Sequence, residues 1–284
     1  MSDEEIEEER ERLLDGWDVA ARGWARQADR THETALPISE WMLDHARPAR
    51  GETVLELAAG PGDTGFMAAA RIAPDGVLVC SDASNEMLEV ARERAAEQGL
   101  TNVEFKQLQL EWIDMETASV DVILCRWGVM LTLDPASALR ECRRVLRPGG
   151  RLALAVWDLP AANPWSTIFQ AALQELGHVQ PAPDGGPGMF ALAAPGVLAG
   201  MLAEAGFLEV EVEPVAILSR YSGVLDWVGE TRDRSRYFAG VWAQLNDQQR
   251  QELRELLAIR AAGFTAPDGS LALPGSSLAA AASA

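Results

Sequence analysis

Lysine is all but missing from this chain: Lys106 is the only one among 284 residues, and the other basic residues are arginines. A cofactor held as a Schiff base needs a lysine placed to receive it. A solitary lysine beside a strand-like segment does not meet that need. Cysteine is scarce as well. Cys80, Cys125 and Cys142 are odd in number and lie in apolar stretches, which argues against a disulfide framework and against a cysteine metal knuckle. His32, His45 and His178 fall into no spacing with cysteine or aspartate that binds a metal, so none is expected. No uninterrupted apolar run approaches the ~20 residues that cross a bilayer. The first residues are acidic where a secretory leader is basic, so the expectation is a cytoplasmic protein with no membrane partner. The formal charge is −19. A field of that sign repels phosphate backbones, and the arginine-rich segments 140–151 and 232–236 are short and flanked by acids, so nucleic acid is not an expected partner. The acidic run Asp3 to Glu11 reads as a solvated, frayed helix or tail.

What the chain does have is core-forming material, 48% of it hydrophobic, and a regular rhythm. Apolar residues from Trp17 to Ala46 recur at helical spacing. Pro48 and Gly51 end that pattern. Over the next hundred residues short β-like runs alternate with amphipathic helices, the mark of a parallel sheet with crossover helices. The strands fall at Thr53 to Leu57, Gly76 to Ser81, Val103 to Gln107, Val120 to Cys125 and Arg151 to Trp157. Ser84 is the cap of one covering helix, and Asp134-Pro135 opens another. Beyond Trp157 come a helix from Pro164 to Leu176, a Pro- and Gly-dense loop from Pro181 to Gly188, and a helix from Pro195 to Ala205. A strand from Phe207 to Leu218, one long helical insert from Val224 to Ala262 and a weak terminal strand near Ser277 to Ala282 complete the chain. There is no repeat and no separating linker, so one domain is expected. Its parts would be a helical cap (1–50), a core (51–158) and a C-terminal half with helical inserts (159–284).

The most informative segment runs from Val54 to Gly65, a strand entering a tight turn and then a helix, with Gly60, Gly62 and Gly65 in the G-x-G-x-x-G pattern. Asp82 follows at the end of the second strand, where an acid binds ribose hydroxyls. That pattern alone fits NAD nearly as well as S-adenosylmethionine (SAM). Glu56 tips the balance at the sequence level, because an acid at the mouth of the loop would repel a pyrophosphate and attract the ammonium and sulfonium of SAM. A P-loop would require Lys-Ser/Thr where Phe66-Met67 stands.

Together with Cys80 to Leu88 and the run from Leu139 to Leu152, whose Arg147-Pro148-Gly149-Gly150 turn precedes the fifth strand, these residues resemble the class I SAM-dependent methyltransferases. The nearest pattern is that of the ubiquinone and menaquinone biosynthesis enzymes and the type 11 group. The resemblance spans roughly Thr53 to Asp158. It implies a Rossmann-like α/β fold with a seven-stranded, mostly parallel sheet, helices on both faces and helical lid additions. It also implies methyl transfer (the EC 2.1.1 class) to a small apolar or aromatic acceptor, by a monomer or homodimer. The SAM contacts it implies are Glu56, Ala58, Gly60, Pro61 and Gly62 for the methionine end, Asp82 and Ala83 for the ribose, and Met87, Leu108 and Gln109 near the adenine. Gln109 stands where the family commonly has an acid, and Ala58 where it has a glycine, a change that is harmless if the backbone φ there is negative. Arg126, after the fourth strand, is a candidate for cofactor or acceptor binding, and His32, in the segment that would form the lid, is the candidate general base. Trp127, Trp157 and Trp165 are candidates to line the acceptor pocket. Two other readings stay open: an NAD-dependent oxidoreductase, and a SAM-binding regulatory protein without turnover.

Overall fold

A computed structural model describes residues 3–180 and 188–284, with side chains from residue 7 onward. The sequence-predicted loop at Pro181 falls almost wholly outside the described residues.

Two helices open the chain. α1 (Asp3–Arg26) and α2 (Ala28–Ala46) are separated at Gln27, so the single helical pattern read from Trp17 is two elements, and the acidic run is the start of the first. Seven strands then build one sheet: β1 (Thr53–Glu56), β2 (Val77–Asp82), β3 (Val103–Gln107), β4 (Val120–Arg126), β5 (Leu146–Trp157), β6 (Leu208–Tyr221) and β7 (Leu271–Ser283). Their order is β3-β2-β1-β4-β5-β7-β6. The first five are parallel, and β7 runs antiparallel between β5 and β6. This is the class I methyltransferase sheet; the dinucleotide fold orders its parallel strands 3-2-1-4-5-6.

Crossover helices α3 (Asp63–Ile72), α4 (Asn85–Glu97) and α5 (Pro135–Val145) follow β1, β2 and β4. Their starts are chemically specified. The Ser84 hydroxyl accepts the Met87 amide, and Asp134 accepts that of Ser137, each satisfying a donor that a helix end leaves free. Continuous apolar strands such as Val122 to Cys125, all buried, show a sheet covered on both faces.

After β5, α6 (Pro164–Glu175) and α7 (Val197–Glu204) lead to β6. The insert expected as one long helix is three: α8 (Val224–Arg234), α9 (Arg236–Gln244) and α10 (Asp247–Arg260). They enclose a second apolar cluster with α6, around Phe169, Trp227, Phe238 and Leu253. α1 lies against α4 and α8, where it roofs the turns that leave the parallel strands, and α2 packs on the sheet against β4, β5, β6 and β7. Among the described residues no helix is long and apolar enough to cross a membrane.

Candidate active site

Parallel strands end together, and the turns that leave β1, β2 and β4 meet over one cavity of about 170 Å³. Its floor is the backbone from Ala58 to Pro61, its sides are Asp82 and Ala83 at the end of β2 and Arg126 to Gly128 at the end of β4, and its roof is Leu13, Leu14, Trp17 and Trp24 of α1.

The glycine turn is held from both sides. Above it, the Asp82 carboxylate accepts the Gly60 amide at 2.9 Å and, with its other oxygen, the Ser84 amide at 2.9 Å. Burial pushes the Asp82 pKa up, against the pull of those amides. Each oxygen of an ionised carboxylate accepts more than one bond, so Asp82 has capacity left for hydroxyl donors in the cavity.

Below the turn, Glu56 is 3% exposed and accepts the Gly65 amide at 2.8 Å. A Cβ on Gly65 would sit 2.1 Å from Glu56 Oε2, which is why this position is glycine. Burial raises the Glu56 pKa to about 8, Asp63 and Asp82 add to the rise, and the Gly65 amide and Arg126 oppose it. The first residue of α3, Asp63, is clamped by two arginines: Oδ1 lies 2.8 Å from Arg94 and Oδ2 lies 3.2 Å from Arg126.

Two residues of the cavity wall that are not glycine adopt left-handed backbone, Ala58 at φ 50° and Trp127 at φ 61°. The condition under which alanine was expected to be harmless at position 58 is therefore not met, and the strain is of order 1–3 kcal/mol at each. Surrounding contacts fix both. Trp127 donates its amide to Ala155 O (2.7 Å) and its indole N–H to Ser277 Oγ (2.9 Å), and it stacks on Trp157 with centroids 4.2 Å apart. Between the two strained residues Gly128 must stay bare, because a Cβ there would lie 2.6 Å from the Ala58 methyl.

Of the residues singled out in the sequence, Ala58, Gly60, Pro61, Asp82, Ala83, Met87, Gln109 and Arg126 line this cavity. Glu56, Gly62 and Leu108 do not; Glu56 serves the loop from beneath, so its charge does not face the cavity, and it is the sheet order that discriminates against a dinucleotide. His32, half-buried on α2, lines neither this cavity nor the small one beside it. Trp157 and Trp165 border only that small second cavity, which Trp127 shares. Sequence reasoning missed the roof residues Leu13 and Leu14, which only the docking of α1 identifies. It also missed a group formed by folding alone, His45 with Glu211 and Glu213, whose ligand-type atoms lie within 4.8 Å of one another away from the cavity.

Residues 48–180 match the family model described as a methyltransferase domain. Arsenite methyltransferase of Halobacterium salinarum is 32% identical over 208 residues, 73% of this chain and 49% of that protein. The ubiquinone/menaquinone biosynthesis C-methyltransferase of Enterobacter sp. is 33% identical over 130 residues, 45% of this chain and 52% of that protein. The chain thus spans about half the length of the curated relatives it matches. The YcgJ protein of Bacillus subtilis superposes with a TM-score of 0.58 at 19% identity, over 86% of this chain and 97% of that one, and so shares the fold. With these matches and the sheet order, the chain carries a class I SAM-dependent methyltransferase domain.

Proposed function

We propose that the chain transfers a methyl group from SAM to a small, largely apolar or aromatic acceptor by direct in-line displacement. The observation that carries this reading is the joining of Asp82, the glycine turn and an apolar, tryptophan-rich roof in a single cavity. The site suits SAM. Asp82 has spare acceptor capacity for the ribose hydroxyls, Ala83 and Met87 lie beside it for the adenosine, and the backbone of Gly60 and Pro61 is bared to the cavity for the methionine end. Glu56, Gly62 and Leu108 act behind these as supports for the turn and strand ends. SAM, when bound, supplies a methyl carbon on a positively charged sulfur that is itself an excellent leaving group.

The protein's part is then to align two molecules and exclude water, which supplies ~7–11 kcal/mol in well-oriented systems. The roof of α1 excludes water. Trp127 and the apolar lining favour a flat, weakly polar acceptor. The whole chain acts as one domain in this reading, with residues 1–50 as cap and 159–284 as acceptor-side additions.

Titration calorimetry with SAM and S-adenosylhomocysteine should show binding that NADH does not reproduce. Incubation with methyl-labelled SAM and a panel of phenols, quinols and carboxylic acids should give a product carrying the label. Absence of SAM binding would overturn the reading; binding without product from the whole panel would favour a regulator that kept the fold.

A further inference from the structure

Among the described residues lining the main cavity there is no histidine, cysteine, lysine or tyrosine; its ionisable members are Arg10, Asp82, Glu111 and Arg126. The Arg10 side chain is 30% exposed, pairs with Glu7 and has Glu111 at 3.8 Å from its Nε, so its charge is balanced by two acids, and Asp82 is engaged with the glycine turn. Arg126 is left. Its side chain is only 8% exposed, Nη2 reaches Asp63, and Nη1 has no hydrogen-bond partner in the protein. An orphaned buried donor costs about 1–3 kcal/mol or more when charged, so it marks a place where a ligand atom is expected. The local charge is also unbalanced. Asp63 is shared with Arg94, and burial raises the pKa of Glu56, the other acid that attracts Arg126, which weakens its hold as a counter-charge. Burial lowers the Arg126 pKa, and the charge of Arg234 lowers it further. The guanidinium stacks over Trp127, 4.7 Å from its centroid, which fixes its direction beside the cavity.

We propose that Arg126 receives the acceptor as an oxyanion, a phenolate or enolate, through Nη1, so that electrostatic stabilisation rather than a protein base makes the nucleophile. This rests on the methyltransferase reading above. The acceptor's acidic proton passes to water on binding. The anion's electron pair then forms the bond to the methyl carbon as the carbon–sulfur bond breaks, and that bond's pair stays on sulfur, which becomes neutral. Fixed donors aimed at such an oxygen in a dry site act strongly because they need no reorganisation.

The test uses 4-nitrophenol, whose anion absorbs in the visible, titrated spectroscopically with the full chain saturated with S-adenosylhomocysteine. Calorimetry of that complex comes first and reports on the methyltransferase reading alone. The expected result is bound nitrophenol with its pKa lowered by about 1–3 relative to free, a smaller lowering in Arg126→Lys, and none in Arg126→Gln. Arg126→Lys keeps the attribution testable should Arg126→Gln fail to fold. A cofactor carboxylate competing for Nη1 is checked by repeating the titration with 5′-methylthioadenosine, which lacks the amino acid. A lowering seen only with that compound assigns Arg126 to the cofactor and overturns the proposal. So does bound nitrophenol with an unshifted pKa, or no nitrophenol binding to a complex that holds S-adenosylhomocysteine.

Discussion

At the scale of single residues, the site is a set of carboxylates with different tasks set by their surroundings. Asp82 opens to the cavity while holding the Gly60 and Ser84 amides. Asp82→Ala should weaken S-adenosylhomocysteine binding by about 1–3 kcal/mol through loss of charge-assisted hydrogen bonds. An unchanged calorimetric affinity would show that the ribose lies elsewhere. Glu56 is different, because its pKa in the fold stands at about 8 against an ordinary 4.5. An acid with a raised folded pKa holds its proton more tightly when folded, so its contribution is full below about 4.5, falls as pH rises to about 8 and is level beyond. Glu56→Gln cannot lose a proton. Urea unfolding at pH 5 and pH 8.5 should therefore show the variant gaining on the parent by on the order of a few kcal/mol across that interval. A difference that does not move with pH would contradict the buried, raised carboxyl.

At the scale of elements, α1 decides whether the cavity has a roof. It is fastened at both ends of the site: Asp18 takes the Ser84 hydroxyl at 2.5 Å, and Trp24 donates to Arg234 O at 3.1 Å. The helix crosses the end of α8 so closely that a Cβ on Gly23 would fall 1.7 Å from Asp233 O. Backbone does not yield as a side chain does, so Gly23→Ala should push α1 away from α8. The expected outcome is a loss of roughly 1–3 kcal/mol of stability together with faster release of S-adenosylhomocysteine in stopped-flow displacement. Normal release kinetics would mean that the roof does not depend on this crossing.

At the scale of the whole molecule, the strand that closes the sheet is the one with the least conspicuous sequence. β7 pairs Arg151 to Trp157 of β5 on one side and the length of β6 on the other. It is rich in alanine, and Ala279 and Ala280 are buried to within 1%. Such small side chains let helices on both faces approach. An unpaired charge there has no partner and no water, so Ala280→Asp should cost roughly 3 kcal/mol or more, read as a fall in the unfolding midpoint. Tolerance of that change would place β7 at an open edge.

The chain by itself determined the parallel half of the molecule. Strand limits from Thr53 to Arg126 were legible to within one residue because apolar runs bounded by glycine turns report local preferences, and the caps at Ser84 and Asp134 were visible for the same reason; β5 begins at Leu146, five residues ahead of its expected start, and takes in the Arg147 to Gly150 segment read as a turn. Asp82 was legible because its place at the end of β2 follows from the βαβ rule. Tertiary structure decided the rest. Alanine has little preference for strands, so β7 is a strand because two neighbours offer it hydrogen bonds. Glu56 turned out to face Gly65 and Ala58 to sit at positive φ, because a carboxylate's direction and a backbone angle are fixed by what packs around them. His32 missed the cavity and α1 supplied its roof, since the docking of one helix on others depends on contacts between residues far apart in sequence.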